Sequence, residues 1–176
     1  NNKKEYKMAW KVDPDQSSIE FLVTHLKVTK VRGRFESFEG TLAIDEEDPQ
    51  ASSVEGSVDV ASVKTGISPR DGNLRSAGFF NADAYPKMSF RSTRIGPLEG
   101  DTFKVYGDLT IKAVTREVVF DVVNKGETQG ADGKRRWAFS ASIALNRSDF
   151  GLKWNPLMEM GGILVEDGVA GTAEIQ

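Results

Sequence analysis

Apolar and polar residues alternate with period two through nearly the whole chain. That pattern restricts the fold more than any other feature. Successive strand residues point to opposite faces, so a period-two stripe becomes one apolar wall of a sheet. In Ser18 to Thr24, Ile19, Phe21 and Val23 face one way, and Glu20, Leu22 and Thr24 the other. Val54, Gly56, Val58 and Val60 alternate against Glu55, Ser57 and Asp59. Met88 and Phe90 share a face, as do Phe103, Val105, Gly107, Leu109 and Ile111. Val118, Phe120 and Val122 follow, then Trp137, Phe139, Ala141, Ile143 and Leu145, and finally Val169, Ala173 and Ile175.

Gly33 to Ile44 reads as one long strand with a fault. Phe35 has odd parity, whereas Phe38, Leu42 and Ile44 have even parity. An extra residue near Ser37 restores a single apolar face, which predicts a β-bulge there. Met8 to Val12 reads as a first strand closed by the turn Asp13-Pro14-Asp15. His25 to Val31 fits neither period. Gly126 to Lys134 contains an Asp-Gly pair and reads as a hairpin loop. The reading gives about eight strands joined mostly by short connections, so the sheet is expected to be antiparallel.

The alternation stops in one place, Pro69 to Pro86, PRDGNLRSAGFFNADAYP. Ser68 or Pro69 can open a short helix, because proline lacks only an N–H that the first turn leaves unpaired. Gly78 can end it, and Pro86 forbids its continuation. Leu74, Phe79 and Phe80 supply an apolar side, with Arg70, Asp71 and Arg75 at the margin.

Eight long antiparallel strands can close into a barrel and so remove both sheet edges. At that size the interior either fills with its own side chains or holds one small ligand. The candidate inward set is Phe21, Val23, Phe35, Val58, Phe90, Val105, Leu109, Phe120, Phe139 and Ile143. Gly56, Gly107 and Ala141 lie on the same faces and lower the packed volume. A helical segment laid across the barrel mouth as a lid, with charges at the rim, suits an amphiphile whose tail occupies the barrel.

Composition narrows the chemistry. The 176 residues suit a single domain, read as a polar leader over 1–7 and one barrel over 8–176. Net charge is -3 with both signs interspersed, which is not the basic stripe of a nucleic-acid binder. No cysteine is present, which excludes disulfides, thiolate metal sites and a cysteine nucleophile. No apolar run reaches the length of a membrane-spanning helix. The compartment is left undecided. His25 is the one histidine, so a transition-metal site is not expected, and no G-x-S-x-G elbow supports a serine triad. His25 reads as a polar group at the cavity mouth or a structural residue. Arg70 and Asp71 read as a local ion pair or part of a head-group site, and Arg147 and Phe150 fall in the turn-like NRSDFG.

Four stretches carry a family resemblance: WKVDPDQSSIEFLVTHLKVTKVRGRFESFEGTL, TGISPRDGNLRSAGFFNADAYPKMSFRS, GDLTIKAVTREVVF and NRSDFG. Together they resemble the YceI-like proteins from Trp10 to Ile175. The resemblance implies an all-β, eight-stranded antiparallel lipocalin-like barrel that binds a long isoprenoid or related lipid, an isoprenoid quinone included. It implies no enzymatic step, no cofactor beyond such a lipid, and a homodimer as partner state. By position, His25, Arg70, Asp71, Leu74, Phe79, Phe80, Arg147 and Phe150 match the family's motifs as mouth and lid residues. The chain departs from the pattern at Gln16, Asn73, Gly78 and Lys112-Ala113, where relatives often carry His, His, an acid and His-Gly. Two rivals stand beside lipid binding: an enzyme acting at the mouth through His25 or Asp71, and an interaction protein with a filled barrel.

Overall fold

A computed structural model describes residues 7–15, 17–25, 29–77, 80–129, 133, 135–143, 145, 147–150 and 168–175. Side chains are described for these except at 7, 8, 22–31, 128, 129, 147, 148 and 168–175. The strand segments are β1 (Lys7–Lys11), β2 (Ser18–His25), β3 (Thr29–Phe35), β4 (Phe38–Asp45), β5 (Ser53–Asp59), β6 (Val63–Lys64), β7 (Lys87–Ile95), β8 (Thr102–Ile111), β9 (Val114–Gln129), β10 (Arg135–Ile143) and β11 (Gly168–Ile175). The helix α1 is Ser68–Arg75.

All described pairings are antiparallel, in the order β1-β4-β5-β7-β8-β9-β10-β11-β2-β3-β6. The two ends of this order meet through the chain itself. β3 runs into β4 across Glu36 and Ser37, and β5 runs into β6 across a 3-10 turn at Val60–Ser62. Backbone bonds continue over the break, from Glu36 N–H to Ser62 O and from Asp59 N–H to Ser37 O. β1 and β2 both lie antiparallel to the β3–β4 strand, Trp10 opposite Leu42 and Ile19 opposite Phe35. With β3–β4 and β5–β6 each counted as one continuous strand, the eleven segments are nine, one more than the eight expected, and the sheet curls into a lipocalin-like barrel. The interruption at Glu36-Ser37 falls where the parity change predicts it. Of the ambiguous segment His25 to Val31, His25 ends β2 and Thr29 starts β3, while residues 26–28 lie outside the described ones.

A second irregularity lies between β9 and β10. Ala138 pairs with Gly126 and Phe139 with Asn124, leaving Lys125 as the extra residue. Gly126 has φ of 102°, a conformation that a side chain would strain. The expected hairpin loop is therefore shorter than Gly126–Lys134, because β9 continues to Gln129.

α1 follows β6 and starts as Ser68-Pro69 predicts, but it ends at Arg75, short of Gly78. Gly78 lies outside the described residues. No described helix is long and apolar enough to cross a membrane.

Three apolar clusters occupy the inner face. The largest joins Phe35, Val63, Leu74, Ile111, Val118, Ile143 and Phe150, all buried, at the end of the barrel that carries α1. A second is Ile95, Val105 and Val122, and the third is Trp10 with Ile44. Phe90 and Phe120 belong to both the helix-end cluster and the middle one, edge to face at 4.9 Å.

Candidate binding cavity

The glycines on the inner faces make room for rings as well as for empty space. A Cβ on Gly107 would sit 2.5 Å from Phe90 Cζ, and one on Gly33 would collide with the Phe21 ring. The expectation that small residues lower the packed volume is corrected at Gly107, where the Phe90 ring from the neighbouring strand has taken the space.

Beyond the Phe90–Phe120 pair the interior is not filled. An apolar cavity of about 480 Å³ is lined by Val12, Leu42, Ile44, Val54, Phe90, Ile95, Phe103, Val105, Phe120, Val122, Trp137, Phe139 and Ala141. That volume lies in the ~300–1,000 Å³ range of small-molecule pockets. Asp45, Glu46, Pro49, Ser52, Ser53, Leu98 and Asn124 complete its wall. These belong to the end of β4, the start of β5 and the loop between them, the turn after β7 and the bulge of β9, so the cavity opens at the end opposite α1. Leu98 on that lip is 49% exposed.

Aromatic rings line this end. Trp137 stacks on Phe139 at 5.5 Å, Phe103 meets Phe139 edge-on at 6.3 Å, and Trp10 meets Trp137 edge-on at 5.6 Å. Trp137 is held from below by its Nε1–H, which donates to Asn124 Oδ1 at 2.6 Å. The same oxygen accepts from Gly126 N–H at 2.9 Å, so the β9 bulge fixes the indole. At the rim, Arg135 donates to Glu46 at 2.8 Å and to Glu127, and its guanidinium stands over the Trp10 ring. The hydrogen bond from Arg135 holds the Glu127 carboxyl below its ordinary range.

The residues expected to form the site are spread over both ends. Phe90, Val105, Phe120 and Phe139 line the cavity. Phe35, Leu74, Ile143 and Phe150 are buried in the helix-end cluster, and Phe21, Val58, Phe80 and Leu109 pack against it. Phe80 reaches Phe35 edge-on at 6.1 Å. Val23 and His25 are in β2 and Arg147 is in a 3-10 turn at Arg147–Phe150, with side chains outside the described residues. Phe79 also lies outside them.

The lid expectation is corrected in its position. α1 does close one barrel end with Leu74 inward, but the apolar cavity opens at the other. Arg70 and Asp71 are corrected as well, since they grip Thr65 rather than pair with each other. Asp71, 5% exposed, accepts from Thr65 N–H at 2.8 Å and from its hydroxyl at 2.5 Å. Arg70 donates to Thr65 Oγ1 and to its carbonyl, each at 2.8 Å. This closed set ties the start of α1 to β6.

Sequence reasoning missed the cavity residues Val12, Leu42, Ile44, Val54, Ile95, Leu98, Phe103, Val122, Asn124, Trp137 and Ala141. Parity already placed Leu42, Ile44, Val54, Phe103, Val122, Trp137 and Ala141 on inner faces. What it lacked was any sign of which end stays unfilled. Two other hollows are lined by charged groups. One of about 520 Å³ includes Arg116, Glu117 and Asp149, and one of about 760 Å³ includes Glu39, Glu55, Arg91 and Asp108. The first is also walled by Val118, Val119, Ile143, Leu145 and Phe150, at the outer side of the helix-end cluster.

Comparison with known proteins agrees with this fold. A UPF0312 protein of Photorhabdus laumondii is 35% identical over 146 residues, covering 82% of this chain and 76% of that one. Protein YceI of Shigella flexneri is 33% identical over the same share of each. Among solved structures, Burkholderia cenocepacia BcnA superposes with a TM-score of 0.82 at 23% identity, over 93% of this chain and 98% of that one. A polyisoprenoid-binding domain from Saccharophagus degradans shares the fold, with a TM-score of 0.68 at 16% identity over 95% and 97%. The family profile for the YceI-like domain matches residues 10–176, and the chain belongs to that family.

Proposed function

We propose that the protein binds a long-chain isoprenoid or related amphiphilic lipid, tail inward, and sequesters or carries it. The observation that carries this reading is the 480 Å³ apolar cavity, open at one barrel end and stopped at the other by the Leu74–Phe150 cluster. A prenyl tail has only apolar surface to offer, and this wall is almost wholly apolar. Burial of each CH₂ contributes about 0.8 kcal/mol, so a long chain supplies ample driving force without a single hydrogen bond. The same fold in the S. degradans polyisoprenoid-binding domain supports the choice of ligand class.

The role is binding rather than turnover. Asp71, one of the two residues on which the enzyme reading relied, is committed to Thr65, and the side chain of the other, His25, lies outside the described residues. Native mass spectrometry of protein purified without detergent, followed by lipid extraction, tests the proposal. A co-purifying prenyl or related lipid is expected. A protein that arrives empty and takes up no polyprenyl or fatty ligand on addition contradicts it.

A further inference from the structure

Building on the lipid-binding reading, we propose that the cavity mouth selects amphiphiles with an uncharged hydroxyl or carbonyl head and discriminates against phosphate and pyrophosphate heads. Orientation comes first. The packed cluster of Leu74, Phe150 and their neighbours stops the apolar cavity at the helix end, so a tail enters from the open end and its head stays at the mouth.

Among the described side chains, the charged ones lining that mouth are Asp45 and Glu46, both acidic. Glu47 and Asp48 follow them, exposed, and Glu99 and Asp101 stand exposed on the facing turn. The described basic side chains on the bulge and the β10 start do not offset this. Arg135 is shared between Glu46 and Glu127, Arg136 lies 3.5 Å from Asp13, and Lys125 is exposed beside the bulge. A head group at the mouth meets the field of these carboxylates, and the apolar wall behind it weakens solvent screening.

The mouth does offer one neutral donor. Asn124 spends its Oδ1 on Trp137 and Gly126, which leaves its amide N–H groups to donate to a hydroxyl or carbonyl oxygen. Carboxylates beside it accept from a hydroxyl. An alcohol head therefore meets both a donor and acceptors, whereas a pyrophosphate meets mainly like charge.

Geranylgeraniol and geranylgeranyl pyrophosphate share one tail and differ only in the head. Their affinities are measured by native mass spectrometric titration of the full chain at low and high ionic strength. The alcohol is expected to bind more tightly by on the order of tenfold at low salt, with the gap narrowing as salt rises. In a Glu47→Gln/Asp48→Asn/Glu99→Gln variant, checked for an unchanged melting temperature, the ratio of the two affinities should fall toward one. Pyrophosphate binding as tightly as the alcohol at low salt overturns the inference while leaving lipid binding intact. So does a ratio insensitive to both salt and the variant. Binding of neither probe overturns the lipid-binding reading itself, and the inference with it.

Discussion

Asp71 shows how one side chain can look functional in a sequence and be committed to structure. It stands in the first turn of α1, where a carboxylate also complements the helix dipole. Its oxygen holds the Thr65 backbone N–H and hydroxyl, and Arg70 holds the other side of the same residue. Asp71→Ala leaves the Thr65 N–H without its acceptor in a part-buried setting, and should cost about 1–3 kcal/mol. Asp71→Asn retains an acceptor oxygen and should recover part of that loss. Urea unfolding of the two variants measures this, and equal stabilities for wild type and Asp71→Ala would show that the grip on Thr65 contributes nothing. Nothing in the sequence distinguishes this role from a head-group site, because Thr65 is matched to Asp71 only once the helix folds back on β6.

At the scale of elements, the rim of the cavity depends on a joint between three pieces of chain. Arg135 at the start of β10 links Glu127 at the end of β9 to Glu46 in the loop after β4. The Glu127 carboxyl titrates below its ordinary value because Arg135 donates to it. A carboxylate with a depressed folded pKa adds stability that is complete above its unfolded pKa and is lost as pH falls through its folded one. The joint should therefore weaken only on acidification below the ordinary carboxylate range. Glu127→Gln should lower stability near neutrality and flatten the acid limb, so that the two proteins converge at low pH. Tryptophan fluorescence during acid titration reads this directly, since Trp10 and Trp137 sit beneath the joint. Parallel curves at all pH values would show that Glu127 carries no such linkage. The elements themselves were largely legible. Period-two alternation located the strands, the parity slip located the break at Ser37, and Ser68-Pro69 located the helix start. The length of β9 was not, because Lys125 and Gly126 resemble the loop that follows them until the bulge pairs them with β10.

At the scale of the whole molecule, the barrel is asymmetric along its axis. Phe21, Phe35 and Phe80 gather under α1, Phe90 and Phe120 stand midway, and Phe103, Phe139 and Trp137 surround the open end. The inward stripe looks the same at both ends in the sequence, so the family of inner residues was legible but the direction of opening was not. That direction is set by long-range packing of Leu74 and Phe150 against Phe35, Val63, Ile111, Val118 and Ile143. Such contacts join residues far apart in the chain, and no local pattern encodes them.

The most direct test compares two tryptophan substitutions on the same inner face. Ala141 lines the cavity, whereas Val63 is fully buried in the helix-end cluster. Ala141→Trp should occupy empty space, keep stability close to wild type and abolish the lipid-bound mass in native spectra. Val63→Trp should overpack and destabilise by about 1–3 kcal/mol. Equal destabilisation by both, with no lipid mass in wild type to lose, would mean that the barrel is filled from end to end and would contradict the account.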